Sequence, residues 1–256
     1  MATSKKPLIL ITNDDGVNAL GITKLIESIA PLGKVVVVAP NRPRSGMSSA
    51  ISCIDPIRVS LLKDEGDLTV YSCTGTPVDC VKIGFDRLLD RKPDLLVSGI
   101  NHGSNAAIAV IYSGTVGAAL EGCIIGIPSI AVSLTDHSPC ADFSEAARIG
   151  KSVAEKVLQN GLPEGICLNL NVPNIPKVKS LKVSSQTPGR WVRELEEMKD
   201  PTGKSIFWLT GEFFNQDPAN ENSDEWALAN GYAALVPLRI DMTAHDFIQK
   251  IKHWEE

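Results

Sequence analysis

The sequence has no Cys-x-x-Cys pair, no His-x-x-x-His or His-x-His pair, and no internal repeat or low-complexity tract. Its six cysteines are scattered at Cys53, Cys73, Cys80, Cys123, Cys140 and Cys167. Without paired spacing they argue against thiolate zinc and iron–sulfur sites. They read instead as reduced, mostly buried thiols of a cytoplasmic protein. The four histidines, His102, His137, His245 and His253, are equally unpaired, which argues against a zinc deacetylase or metalloprotease. No apolar run reaches the ~18 residues a membrane span needs, so no membrane partner is expected. Met1 to Lys6 is short and polar and the first strand follows at once, so no signal peptide is expected either. An excess of basic residues is also missing. The net charge is −5, which argues against a nucleic-acid polymer as partner. Small phosphate substrates remain open, because a bound cation supplies local positive charge.

What is there suits an ordinary globular protein. The 256 residues, 43% apolar and 21% charged, can bury a sizeable core as one large domain, or as one domain with a smaller lobe.

The chain is organised around Leu8-Ile9-Leu10-Ile11-Thr12-Asn13-Asp14-Asp15-Gly16. The unbroken apolar start reads as a strand buried on both faces. Gly16 lets the backbone turn. Ile22, Leu25, Ile26 and Ile29 then recur with helical spacing. Asp14 and Asp15 therefore stand at the carboxyl end of a strand, where open α/β sheets place ligands. Adjacent carboxylates repel and are costly to desolvate without a cationic partner, and a hard divalent cation is the simplest one. On these residues alone, metal or phosphate chemistry and a solvated Asx turn stand level.

Lys34 to Pro40 is a second buried strand, closing a right-handed β-α-β unit with parallel strands. The turn-rich loop Asn41 to Ser49 then opens on the same edge and brings Ser45 near the acidic pair, with Arg42 and Arg44 as candidate anion contacts. Short strands at 57–61 and 68–72 form a hairpin. Thr76 is a helix N-cap, with Pro77 first and Asp79 third in a helix that carries Val81, Ile83, Phe85, Leu88 and Leu89. The strand at 93–101 delivers Asn101, whose amide oxygen suits a hard cation. Ser113, Gly114 and Thr115 open a small-residue helix, where backbone N–H groups can receive an anion or simply be capped. A strand at 128–134, a helix over 142–160 and a strand at 166–172 follow. Beyond about Pro173 the texture turns proline-broken and aromatic. It reads as hairpins and long loops, a strand at 232–238 and an amphipathic helix from about Ala244 to Trp254. The fold class is thus α/β with a mostly parallel sheet. Residues 1–172 form the core, and 173–256 an irregular lobe whose aromatic arm suits oligomerisation.

Asp14, Asp15, Ser45 and Asn101 offer only oxygen ligands, which select magnesium, manganese or calcium over zinc or copper. Two rivals share the acidic pair. A receiver-like phosphate-binding regulatory module needs an aspartate at the end of the third core strand, where Ser98-Gly99-Ile100-Asn101 stands instead. A haloacid-dehalogenase-like phosphatase needs aspartates at i and i+2, and Gly16 occupies the second position.

Several motifs in order carry a specific resemblance: Thr12-Asn13-Asp14-Asp15-Gly16, Ala39-Pro40 with Arg42, Ser45-Gly46, Gly75-Thr76-Pro77 with Asp79-Cys80, Ser98-Gly99-Ile100-Asn101, and Tyr112-Ser113-Gly114-Thr115-Val116-Gly117 with Glu121-Gly122. Together with Pro237-Leu238, Asp241 and Thr243-Ala244-His245, these resemble the SurE family of stationary-phase survival proteins. The resemblance implies a Rossmann-like three-layer core and a C-terminal segment exchanged in a homodimer or dimer of dimers. It implies a 5′-nucleotidase that takes nucleoside monophosphates, some 3′-nucleotides and, in some members, short polyphosphate. It also implies one Mg2+ or Mn2+ ion on Asp14, Asp15, Ser45 and Asn101, with Asp14 and Asp15 catalytic, and a phosphate-side loop at Ser113, Gly114 and Thr115. The segment Ala106 to Val110 departs from the acidic stretch that many members carry there.

Overall fold

The structure, a computed structural model, describes residues 6–255; of the polar leader read at Met1 to Lys6, all but Lys6 lies outside the described residues. The first half contains β1 (Leu8–Thr12), α1 (Leu20–Ile29), β2 (Lys34–Pro40), β3 (Val59–Glu65), β4 (Leu68–Cys73), α2 (Pro77–Ile83), β5 (Leu95–His102) and α3 (Gly114–Ile124). Then come β6 (Ser129–Leu134), α4 (Ser144–Asn160), β7 (Ile166–Val172) and β8 (Leu181–Val183). The remainder holds β9 (Gly189–Val192), β10 (Leu195–Lys199), β11 (Ser205–Leu209), β12 (Glu212–Asn215), α5 (Asp224–Ala229), β13 (Ala233–Arg239) and α6 (His245–Ile251).

Nine strands form one sheet in the order β3-β4-β2-β1-β5-β6-β7-β13-β8. The run from β4 to β7 is parallel, while β3 and β13 lie antiparallel to β4 and β7. Every residue of β1 is buried. Ile9 and Ile11 face one apolar layer with Ile22, Leu25 and Val153. Leu8 and Leu10 face the other, with Val81 and Val116. Each such side chain contributes about 1.5–3 kcal/mol by leaving water, so the two-sided burial of β1 fixes the three layers. Beside β1 the connectivity reverses: β2 and β4 build outward on one side, and β5, β6 and β7 on the other. The crevice at such a switch point is where this architecture binds ligands.

The capping pattern read at Thr76 forms in full. The Asp79 amide donates to the Thr76 hydroxyl at 3.1 Å, and the Thr76 amide donates to Asp79 at 2.8 Å. The helix predicted to run to Leu89 stops at Ile83 and continues as a wider π-type turn over Gly84–Leu88, closed by the Leu89 amide on the Gly84 carbonyl at 3.1 Å. Glycine is a poor helix former, and the wider turn keeps Phe85, Leu88 and Leu89 against the core.

The chain beyond residue 172 does not stand apart from the sheet. β13 pairs with β7 on one side and β8 on the other. Between them an arm projects, made of the antiparallel pairs β9–β12 and β10–β11. Its outer half is apolar and bare: Phe207 is 61% exposed, Trp208 60% and Leu209 79%. No residue of α6 is buried. Among the described residues no helix is long and apolar enough to cross a membrane.

Candidate active site

Two loops meet at the carboxyl end of β1. The Val17 amide donates to the Pro40 carbonyl at 2.8 Å, and the Arg44 amide to the Asp14 carbonyl at 2.7 Å. The loop after β2 is therefore tied to the acidic turn, and Ser45 lines the same cleft as Asp14. From the other side β5 brings Asn101. Its pairing with β6 slips between Ser98 and Asn101, at Gly99, whose φ of 135° an L side chain rarely adopts. A Cβ on Gly99 would also meet the Val132 carbonyl at 2.2 Å. The slip turns Asn101 into the cleft, where its amide nitrogen donates to the Gly103 carbonyl at 2.8 Å. That bond commits the nitrogen and leaves the side-chain oxygen free.

Both carboxylates are held. Asp14 is 3% exposed and accepts a short hydrogen bond from the Thr115 hydroxyl. Asp15 accepts from the His102 amide at 3.0 Å. Burial pushes the Asp14 carboxyl up to about 6; the Thr115 hydroxyl pulls against this, and the neighbouring Asp15 adds to it. Burial likewise raises Asp15, against the lowering effect of the His102 amide. A pair of carboxyls held at a cost to ionisation is what a site looks like before a cation repays it. The four expected ligands, Asp14, Asp15, Ser45 and Asn101, all offer oxygen, so these residues fit a hard divalent ion such as Mg2+ or Mn2+.

The helix start at 113–115 divides its work. The Ser113 hydroxyl lines the cleft but already caps α3, accepting from the Val116 amide at 3.1 Å. Thr115 is fully buried and spends its hydroxyl on Asp14. Gly114 lies against the acidic pair; a Cβ there would stand 3.0 Å from that of Asp14 and 3.3 Å from Pro77 Cγ. Of the expected phosphate loop, Ser113 is thus what lines the cleft, while the Val116 amide is already spent on it. Gly114 and the Thr115 side chain instead shape Asp14. Arg44 turns its guanidinium to the Thr74 carbonyl at 2.5 Å, and Arg42 is exposed.

The cleft, about 660 Å³, also holds residues that the sequence did not assign to the site, among them His102, His137, Asn105 and Trp191. The two imidazoles stack with centroids 6.4 Å apart, and His102 Nε2 lies 2.7 Å from the Ser138 carbonyl. Asn105 is wired into the sheet edge through Ser133, Asn169 and Asn171. The local signal for His102 and Asn105 was the polar string Asn101-His102-Gly103-Ser104-Asn105.

Fold and cleft define a doubly wound α/β protein with an acidic pair at its switch point. The family model described as survival protein SurE matches residues 9–193. The 5′-nucleotidase SurE of Bacteroides thetaiotaomicron is 50% identical over 248 residues, which cover 97% of this chain and 96% of that relative. The protein of the same name from Bacteroides fragilis is 48% identical over 252 residues, covering 98% and 99%. The crystal structure of the SurE protein from Aquifex aeolicus matches with a TM-score of 0.83 at 38% identity, over 98% of this chain and 100% of that one. The chain belongs to the SurE family.

Proposed function

We propose that this protein hydrolyses nucleoside 5′-monophosphates to nucleoside and phosphate, using one Mg2+ or Mn2+ ion and water, without a covalent intermediate. Near-full-length identity to proteins named 5′-nucleotidase supports a phosphomonoester hydrolase. The observation that carries the reading is the acidic pair at the switch point, buried Asp14 beside half-buried Asp15, with both carboxyls raised by desolvation.

Asp14, Asp15, Ser45 and Asn101 would hold the ion, which when bound acidifies water and withdraws charge from the phosphoryl group. Thr115 and the His102 amide fix the rotamers of the two aspartates. One aspartate takes the proton that the attacking water gives up. The amides at the start of α3 face the non-bridging oxygens and favour the charge that gathers there. The neutral Ser45 and Asn101 add no further negative charge, so the two carboxylates and a dication balance and leave a phosphate dianion unrepelled.

A phosphate-release screen over 5′- and 3′-nucleotides and polyphosphate, with Mg2+, Mn2+ or chelator, tests this reading. The expected result is cation-dependent release from 5′-monophosphates, with single-turnover label from 18O-water entering phosphate directly. Label that reaches phosphate only by way of an enzyme carboxylate would overturn the mechanism. Release that ignores chelator would overturn the cation.

The bare arm and α6 support assembly as a homodimer or dimer of dimers. Exposed apolar area on this scale marks an association surface. Light scattering at micromolar concentration is expected to give a dimer or larger, and Phe207→Ser with Trp208→Ser is expected to shift it toward monomer. A wild-type monomer at that concentration would count decisively against the assembly.

A further inference from the structure

The cleft holds more than the acidic centre. Asp14, Ser45 and Asn101 line it together with Trp191 and Leu209 of the arm. Trp191 is fixed there by its surroundings. It faces Phe213 across the β9–β12 pair, and the two rings meet edge to face with centroids 6.1 Å apart. β9 also rests against the 3-10 turn Ala107–Ile111. That turn leads into Tyr112, one residue and so about 3.8 Å along the chain from Ser113. An indole packed edge to face on Phe213, half-buried and lining the same cleft as Asp14 and Ser113, suits a flat aromatic ligand. Bases of any sequence stack on such rings, because every base has a π-face.

We infer that Trp191 is the platform on which the substrate's nucleobase stacks, so the root of the arm selects nucleotides from other phosphomonoesters. The inference rests on the nucleotidase reading above and adds the specificity-determining residue to it. Ribose 5-phosphate lacks only the base and separates the two ideas. In Trp191→Ala, KM for AMP is expected to rise about tenfold, the scale of one lost base–aromatic stack, with kcat kept. For ribose 5-phosphate, kcat/KM should stay unchanged. Trp191→Phe should restore most of the AMP affinity, which a damaged hairpin would not. Calorimetric AMP binding to wild type and Trp191→Ala runs alongside. Equal losses for AMP and ribose 5-phosphate would overturn the platform, as would no change for either. If the wild type hydrolyses neither ester but still binds AMP through Trp191, the platform stands and the hydrolytic reading falls. A wild type that binds no AMP refutes the platform itself.

Discussion

Replacing Asp14 or Asp15 by Asn is expected to cut cation-dependent phosphate release at least about a hundredfold, the scale of one lost electrostatic stabiliser. The fold should survive. In Asp14→Asn the new side chain can still accept from Thr115, and in Asp15→Asn it can still accept from the His102 amide, because each variant keeps a carbonyl oxygen where the carboxylate oxygen stood. What disappears is the charge that draws in a dication and the basicity that takes up a proton. Ser45→Ala should be milder, since water can occupy a hydroxyl's place. Steady-state phosphate release under saturating Mn2+ checks the series. An Asp15→Asn enzyme with full cation-dependent activity would sink the assignment.

The same substitution at Asp14 should change stability in the opposite sense. In the folded, cation-free protein the Asp14 carboxyl is raised to about 6 from an ordinary value of 3.8. The folded state therefore holds this proton more tightly than the unfolded chain does. The resulting stability is fully present below the unfolded value and is lost as pH rises through about 6. The shift corresponds to about 3 kcal/mol for a fully buried group. Asp14→Asn carries no such term. Between pH about 4 and 7 the variant should gain on wild type by up to that amount, read as the difference in unfolding midpoint with chelator present. Adding Mn2+ at neutral pH should reverse the ranking, because only the wild type gains from binding. Parallel stability curves for the two proteins across this range would show that Asp14 bears no burial penalty.

The parts of this molecule written in local pattern were legible. β1, the acidic turn, the Thr76–Asp79 cap and the buried strands each follow from a few neighbouring residues, and topology then predicts which loops share an edge. The tie between Arg44 and Asp14 realises that prediction in a single hydrogen bond. Partners chosen across the fold were not legible. The family resemblance places Thr115 in a phosphate-side loop, yet its hydroxyl is taken by Asp14, 101 residues away in sequence. His137 reaches the cleft from the loop after β6, and Trp191 from the arm; neither carries a spacing that announces it. The apolar spacing of α2 continues past Gly84, while its backbone hydrogen bonding widens there to the π pattern.

The position of β13 bears on how the gene tolerates premature stops. Every residue assigned to the acidic centre is encoded before codon 116, and the block matched by the family model ends at residue 193. A message ending shortly after that block would still specify the whole centre. Yet it would lack the strand between β7 and β8, and with it Asp224, whose buried carboxylate ties the Ala107 amide to Thr187. The product would present the long, apolar edge of β7 to its neighbours, a template for strand-to-strand aggregation. Nonsense mutations late in the reading frame should therefore yield insoluble protein, not a shortened enzyme.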